Sequence, residues 1–271
     1  MNIIDSHIHF WDLKNGYNNW VKDTNLPNLV IPEDLNADAF VHIEAHNEIS
    51  DPLCEYKWLK SEFIDRNIKV IAFADFTLDL PSFEKKIITL KKYKNIVGVR
   101  QIMSKTSKSS YSPFCKNIPG DLGDKLRVLK QNNLVFEAQM YPEQFLAILD
   151  SVDSSQVTMS IEHFGLPIFS DNESLDKWYN LIKECTKNNN WKLKLSGFDL
   201  NNYFLHINKA LDFVFENIKD TQLCYGSNFP VSHQNDYSFW HNFLYKYIND
   251  DKISENVFKN VAQEVYFNNK G

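Results

Sequence analysis

Asn2-Ile3-Ile4-Asp5-Ser6-His7-Ile8-His9 reads as a short apolar strand that ends in two histidines two positions apart. Side chains at i and i+2 of extended backbone point the same way, so His7 and His9 can converge on one metal ion, water or substrate oxygen. The next residues, Phe10-Trp11-Asp12-Leu13, contain none of the glycines with which a doubly wound sheet cradles phosphate after its first strand. Seven further β-type segments follow, at 39–45, 70–75, 96–101, 134–139, 157–162, 192–196 and 222–226. Between most of them lie stretches of helical periodicity, at 52–65, 81–92, 122–131, 174–188 and 204–217, and a last one at 253–267 carries Val257, Val261 and Val265 at fourfold spacing. Strict alternation of strand and helix implies a parallel sheet. Eight such units predict a single α/β domain over 1–271, a (β/α)8 TIM barrel, with an open doubly wound sheet as the runner-up.

A barrel places its chemistry at the carboxyl ends of its strands, and polar residues collect there. His7 and His9 end strand one, His42, Glu44 and His46 alternate along and past strand two, and Arg100 ends strand four. Glu137 and Gln139 end strand five, and His163 follows strand six. Glycines at 98, 165, 197 and 226 fall in or just after four strands, where backbone must turn sharply or approach a ligand. In strand two, Val41, Ile43 and Ala45 alternate with His42, Glu44 and His46. With the apolar face packed on the helix ring, the polar face points inward, where His42 and Glu44 either serve a ligand or hydrogen-bond one another.

The chain has 271 residues, 43% of them hydrophobic and 24% charged, and a net charge of −6 without any basic block. Nothing in that balance suggests a nucleic-acid partner. No apolar run nears the roughly 20 residues of a membrane span, and no signal peptide precedes the first strand, so a cytoplasmic location is expected. Cys54, Cys115, Cys185 and Cys224 lie far apart without a CxxC pair, as reduced thiols would. The expected partner is a small-molecule substrate, and a homo-oligomer is left open.

Taken in order, six blocks resemble the amidohydrolase-2 branch of the amidohydrolase superfamily, TIM-barrel hydrolases that include sugar and dicarboxylate lactonases. They are Ile4-Asp5-Ser6-His7-Ile8-His9-Phe10-Trp11-Asp12, Val41-His42-Ile43-Glu44-Ala45, Val97-Gly98-Val99-Arg100, Ile161-Glu162-His163-Phe164-Gly165-Leu166-Pro167, Lys194-Leu195-Ser196-Gly197 and Gly226-Ser227-Asn228-Phe229-Pro230-Val231. The resemblance implies a hydrolase, in particular a lactonase, in which His7, His9 and His163 surround the reacting group with the residue at position 228. Where the family pattern has an aspartate in a GSDxP turn, this chain has Asn228. A carboxamide has no basic site near neutral pH and is a poorer metal ligand.

Three readings follow from that departure. In one, Asn228 only orients water or a carbonyl, and an imidazole or Glu44 takes the proton. In another, His7, His9 and His163 hold a single divalent ion, zinc by its preference for nitrogen ligands, and acidify its water. In the third, the barrel binds a sugar or dicarboxylate without turnover. Metal-free catalysis, with the histidines polarising a lactone carbonyl directly, is an alternative to the zinc reading. A binuclear centre is not expected, because Arg100 occupies the strand-four position where a lysine would be carboxylated. Glu162 is set aside as proton acceptor, since as the neighbour of His163 on a strand it would face away.

For the substrate, Arg100 offers a fork for a carboxylate or a hydroxyl pair, unless it is spent on Asp75 of the neighbouring strand. Gln139 and His42 offer hydrogen bonds to hydroxyls. Trp11 offers an apolar wall, or else simple packing over the barrel mouth. The loop at 104–112, with Tyr111, reads as a lid or as an exposed connection.

Overall fold

The computed structural model describes residues 2–46, 51–106, 110–198, 204–232 and 236–268. Eight parallel strands form one sheet, in the order β1 (Ile4–Ile8), β4 (Ala39–Ile43), β5 (Ile68–Phe73), β6 (Ile96–Arg100), β7 (Val135–Ala138), β8 (Met159–Ile161), β9 (Trp191–Leu195) and β10 (Leu223–Tyr225). The sheet curls until β10 meets β1. Ser6 Oγ donates to Tyr225 O at 2.6 Å, Ser227 N donates to Asp5 Oδ1 at 2.9 Å, and His9 N donates to Phe229 O at 3.0 Å. These bonds complete a (β/α)8 barrel, as the alternation predicts.

Helices α1 (Cys54–Glu62), α2 (Leu80–Lys91), α3 (Leu122–Gln131), α6 (Asn172–Cys185) and α7 (Ile207–Asn217) fall where the periodicity places them. Unforeseen elements are β2 (Trp11–Asp12) paired antiparallel with β3 (Leu29–Val30), α4 (Pro142–Ala147), α5 (Leu149–Ser155) and α8 (Ser238–Ile248). Two-residue strands and helices of six or seven residues are too short to leave a period in sequence, which does not hold for the 11-residue α8. Past α9 (Asp251–Glu255), the expected final helix widens into two π turns, Asn256–Asn260 and Gln263–Phe267.

Strand two faces opposite to the expectation. Val41 and Ile43 join Ile4, Ile71, Val97, Val135 and Cys224 in a buried cluster inside the barrel. Val261, between the two π turns, and Val265 and Tyr266 of the second belong to the same cluster and close its amino-terminal end. His42 therefore points outward. Its ring stacks on Phe10 and its Nε2 lies 3.3 Å from Glu55 on α1. The inner face is apolar because the lower barrel is itself a packed core, whereas a single outward histidine accepts from Phe10 N and lies against one helix carboxylate. Glu44, beyond the last strand residue, bends toward the mouth instead.

A bulge gives β1 its histidine face. Asp5 pairs with Phe40 and Ile8 with His42, so three residues of β1 advance against two of β4. The extra residue breaks the alternation between Ile4 and His7, and both turn inward. Below the site the barrel also holds a buried ion pair, with Lys194 Nζ 2.8 Å from Glu137 and donating to Ser6 O at 2.7 Å. Tyr266 OH donates to Glu137 at 2.7 Å and shares a hydrogen bond with Ser160.

Candidate active site

His7, Glu162 and His163 meet at the carboxyl end of the barrel. Their ligand atoms lie within 4.8 Å of one another and all three residues are buried. The alternation argument against Glu162 fails because the strand has ended. His163, Phe164, Gly165 and Leu166 all take left-handed backbone angles, with φ of 54, 58, 75 and 56°. That turn swings His163 round to the side that Glu162 already faces. Three consecutive amide-to-carbonyl and indole-to-carbonyl bonds hold it: Gly165 N to Glu162 O, Leu166 N to His163 O, and Trp178 Nε1 to Phe164 O. Left-handed non-glycine residues are costly and concentrate where a site demands them.

The histidines differ in what they offer. His7 is fully buried, and neither ring nitrogen has a hydrogen-bond partner among the described residues. Glu162 Oε1 is 3.6 Å from its Nδ1, and the ring of His163 is 4.6 Å away. His9 lies 5.2 Å from His7, ring to ring, and donates from Nδ1 to Ile43 O, which leaves Nε2 as a lone pair. His163 shares Nδ1 with Ser196 Oγ at 3.0 Å. Burial holds the pKa of all three below the ordinary value, His9 down to about 3, with the Arg100 charge acting in the same direction. All are neutral imidazoles near pH 7. Asn228 takes φ +52°, receives its place from His7 O through its backbone N–H at 2.8 Å, and donates from Nδ2 to Ser232. Beside it, burial pushes the Asp5 carboxyl up to about 6 although it accepts from Ser227, His7 and Tyr237.

Arg100 is not spent on Asp75. Its Nε donates to Glu44 Oε1 at 2.8 Å, Nη2 to Glu44 O at 2.7 Å, and Nη1 to Glu162 at 3.1 and 3.3 Å. Asp75 instead accepts from Thr77 and Gln101. A cavity of about 420 Å³ opens above, and His9, Glu44, Arg100, Gln139, His163 and Asn228 line it. Trp11, His42 and the fully buried His7 do not. Trp11 is fully buried beneath, donating to Pro27 O and packed edge-on against Trp20, and it is Trp20 that forms the wall. His46, Phe73, Tyr111 and Phe114 also line the cavity. Tyr111 stacks on His163 at 5.8 Å at the cavity wall, and residues 107–109 of the loop that carries it fall outside the described residues. Sequence reading passes over Trp20 and Phe114 because neither sits at a strand end.

Gly197 makes room for this arrangement. Its φ is +62°, and a Cβ there would lie 2.3 Å from His163 Nδ1. Gly197→Ala is therefore expected to displace the imidazole and lower turnover by about 10²-fold, while far-ultraviolet circular dichroism stays unchanged. Wild-type rates in that variant would separate His163 from the chemistry.

Residues 4–267 match the amidohydrolase family, in its amidohydrolase-2 division, and the chain belongs to it. An uncharacterized Sinorhizobium fredii protein, y4mH, is 24% identical over 256 residues, which is 84% of this chain and 85% of that protein. Among solved structures, a zinc-bound Burkholderia multivorans amidohydrolase superposes with a TM-score of 0.77 at 16% identity, over 98% of this chain and 99% of the other. A probable 2-pyrone-4,6-dicarboxylic acid hydrolase of Acinetobacter baumannii, with citric acid bound, gives 0.70 at 18%, again over 98 and 99%. Likenesses at such identities establish the shared barrel. Family membership supports hydrolase activity in general. No helix among the described residues is long and apolar enough to cross a membrane.

Proposed function

We propose that this protein is a lactonase, opening a cyclic ester by attack of an activated water at the cluster of His7, His9 and His163. The observation that carries the reading is His7, whose two buried ring nitrogens lack hydrogen-bond partners among the described residues, beside Glu162 and His163. An orphaned buried polar group of that kind is costly unless a ligand completes it. The 2-pyrone hydrolase among the structural relatives, whose named substrate contains a cyclic ester, supports the same bond type.

The donor set fits a divalent ion. His7, His163 and Glu162 would hold it, with two nitrogens and one carboxylate oxygen, as zinc accepts. When bound, such an ion polarises a carbonyl and acidifies water. The chain's own residues supply the rest. His9 presents its Nε2 lone pair to the cavity, fixed by Ile43 O. Asn228 orients and does not accept a proton. Glu44 is the proton acceptor in this scheme: it opens on the cavity, and burial raises its pKa, opposed by Arg100, toward the range of a working base.

Initial rates on aldono-, muconate-type and pyrone lactones, with and without a chelator, test the proposal. Turnover is expected on at least one lactone, falling at least about 10-fold on metal removal and returning with zinc. Turnover untouched by stringent chelation would leave the histidines polarising the carbonyl unaided. Silence across the panel would sink the lactonase reading in favour of a binding barrel.

A further inference from the structure

His46 is held in place by more apparatus than its position needs. Glu55, on α1 and 3% exposed, accepts at Oε2 from His46 Nδ1 at 3.1 Å. The same carboxylate accepts from Ala45 N and from Asn18 Nδ2, and lies beside His42. All of its other bonds point into protein. Among the described residues, His46 is the one side chain through which it reaches the cavity, which the histidine lines while only 7% exposed. Nε2, on the far side of the ring, is buried and has no hydrogen-bond partner among the described residues. A second atom of the cavity wall is in the same state: Gln139 Oε1 is buried without a donor among the described residues.

Packing alone would be served by an apolar side chain at 46, edge-on to Phe73 as this ring is. Two orphaned polar atoms on one cavity instead describe what must enter it. Gln139 Oε1 accepts only, and a hydroxyl can donate to it. The same kind of group satisfies His46 Nε2 in either protonation state, since it both donates and accepts. A carboxylate has no proton to give Gln139. Nor does it find an uncompensated cation here: any charge on His46 is already met by Glu55, the Arg100 fork closes on Glu44 and Glu162, and no other lysine or arginine is among the described lining residues. We infer that His46, positioned by Glu55, is a specificity-determining residue that, with Gln139, binds hydroxyl groups on an uncharged ring of the substrate. The inference rests on the lactonase reading only for the nature of that ring.

His46→Leu tests it in two assays. With a hydroxylated aldonolactone and its deoxy counterpart as paired substrates, the variant is expected to raise KM for the hydroxylated one at least 10-fold. Its kcat stays within threefold, and the preference between the pair collapses. His46→Gln, which keeps a polar tip, recovers most of that preference, and Glu55→Gln shifts it in the same direction as His46→Leu by less. An unhydrolysable 1,4-anhydroalditol, titrated calorimetrically, reads binding without turnover: at least 10-fold weaker binding in His46→Leu supports the inference even where no lactone is hydrolysed. A folded His46→Leu protein with unaltered discrimination overturns it, as does a loss confined to kcat. Failure of the wild type to bind the anhydroalditol, or its preference for a C6-carboxylated lactone over the uncharged one, overturns it as well, and leaves lactone turnover standing.

Discussion

Glu162→Gln is expected to lower turnover by about 10³-fold, the largest loss from any single substitution in the site. Glu162 is fully buried, 3.6 Å from His7 Nδ1, and takes two contacts from Arg100 Nη1. The amide keeps the shape of the side chain but removes its charge, so the cluster loses its only anionic donor while the fold persists. Glu162→Ala adds a stability cost. Removing one member of a buried ion pair costs about 3–5 kcal/mol, and the lower end applies here because Glu44 still faces the guanidinium. Initial rates and urea unfolding on the two variants separate the contributions. Near-normal rates in Glu162→Gln would mean that the carboxylate only anchors Arg100.

The second large effect lies beneath the site and concerns stability. Lys194→Met should destabilise the protein by about 3–5 kcal/mol, because Glu137 then sits in the barrel core with its charge uncompensated. Lys194 is fully buried, bonded to Glu137 and Ser6 O, and its ammonium lies 5.1 Å from the Tyr266 ring centre. Burial already pushes the Glu137 carboxyl up, against the pull of Lys194, so loss of the lysine leaves it protonated or strained. Lys194→Met combined with Glu137→Leu is expected to be more stable than either single variant, since an apolar pair of similar volume escapes the desolvation of both charges. A denaturant double-mutant cycle reads the coupling directly. Additive losses would show that the two side chains act independently.

The fold was legible because each strand carries its own local signal, and all eight predicted segments overlap observed strands. The barrel's interior was harder to read. His42 looked like an inward residue because alternation tells which side chains share a face and is silent about which face is inside. What decides it is the apolar cluster of Val41 and Ile43 with Val261 and Tyr266, residues more than 200 positions away. Glu162 was missed for the opposite reason. Alternation was carried two residues past the end of β8, into a left-handed turn where it no longer holds. The one sign of that turn in the sequence is Gly165. Of the expected contacts, Arg100, Glu44 and Gln139 reach the cavity through strand ends, where the barrel rule applies. Trp20 and His46 reach it from beyond the strands, where no rule of spacing does.

The seam between the first and last strands also bears on how the chain is made. Asp5 and Ser227, whose hydrogen bond helps close the barrel, stand 222 positions apart. During synthesis, the strand bearing His7 and His9 leaves the ribosome long before the turn that carries Asn228 exists. Until then it has β4 on one side and an open, hydrogen-bond-hungry edge on the other, exposed to any stray strand. Closure at such separation is slow relative to local helix formation, so the active cluster is assembled last. A nascent chain of this protein is thus without its chemistry until the turn at 226–230 has emerged, and a chaperone that shields the first strand would govern yield rather than rate.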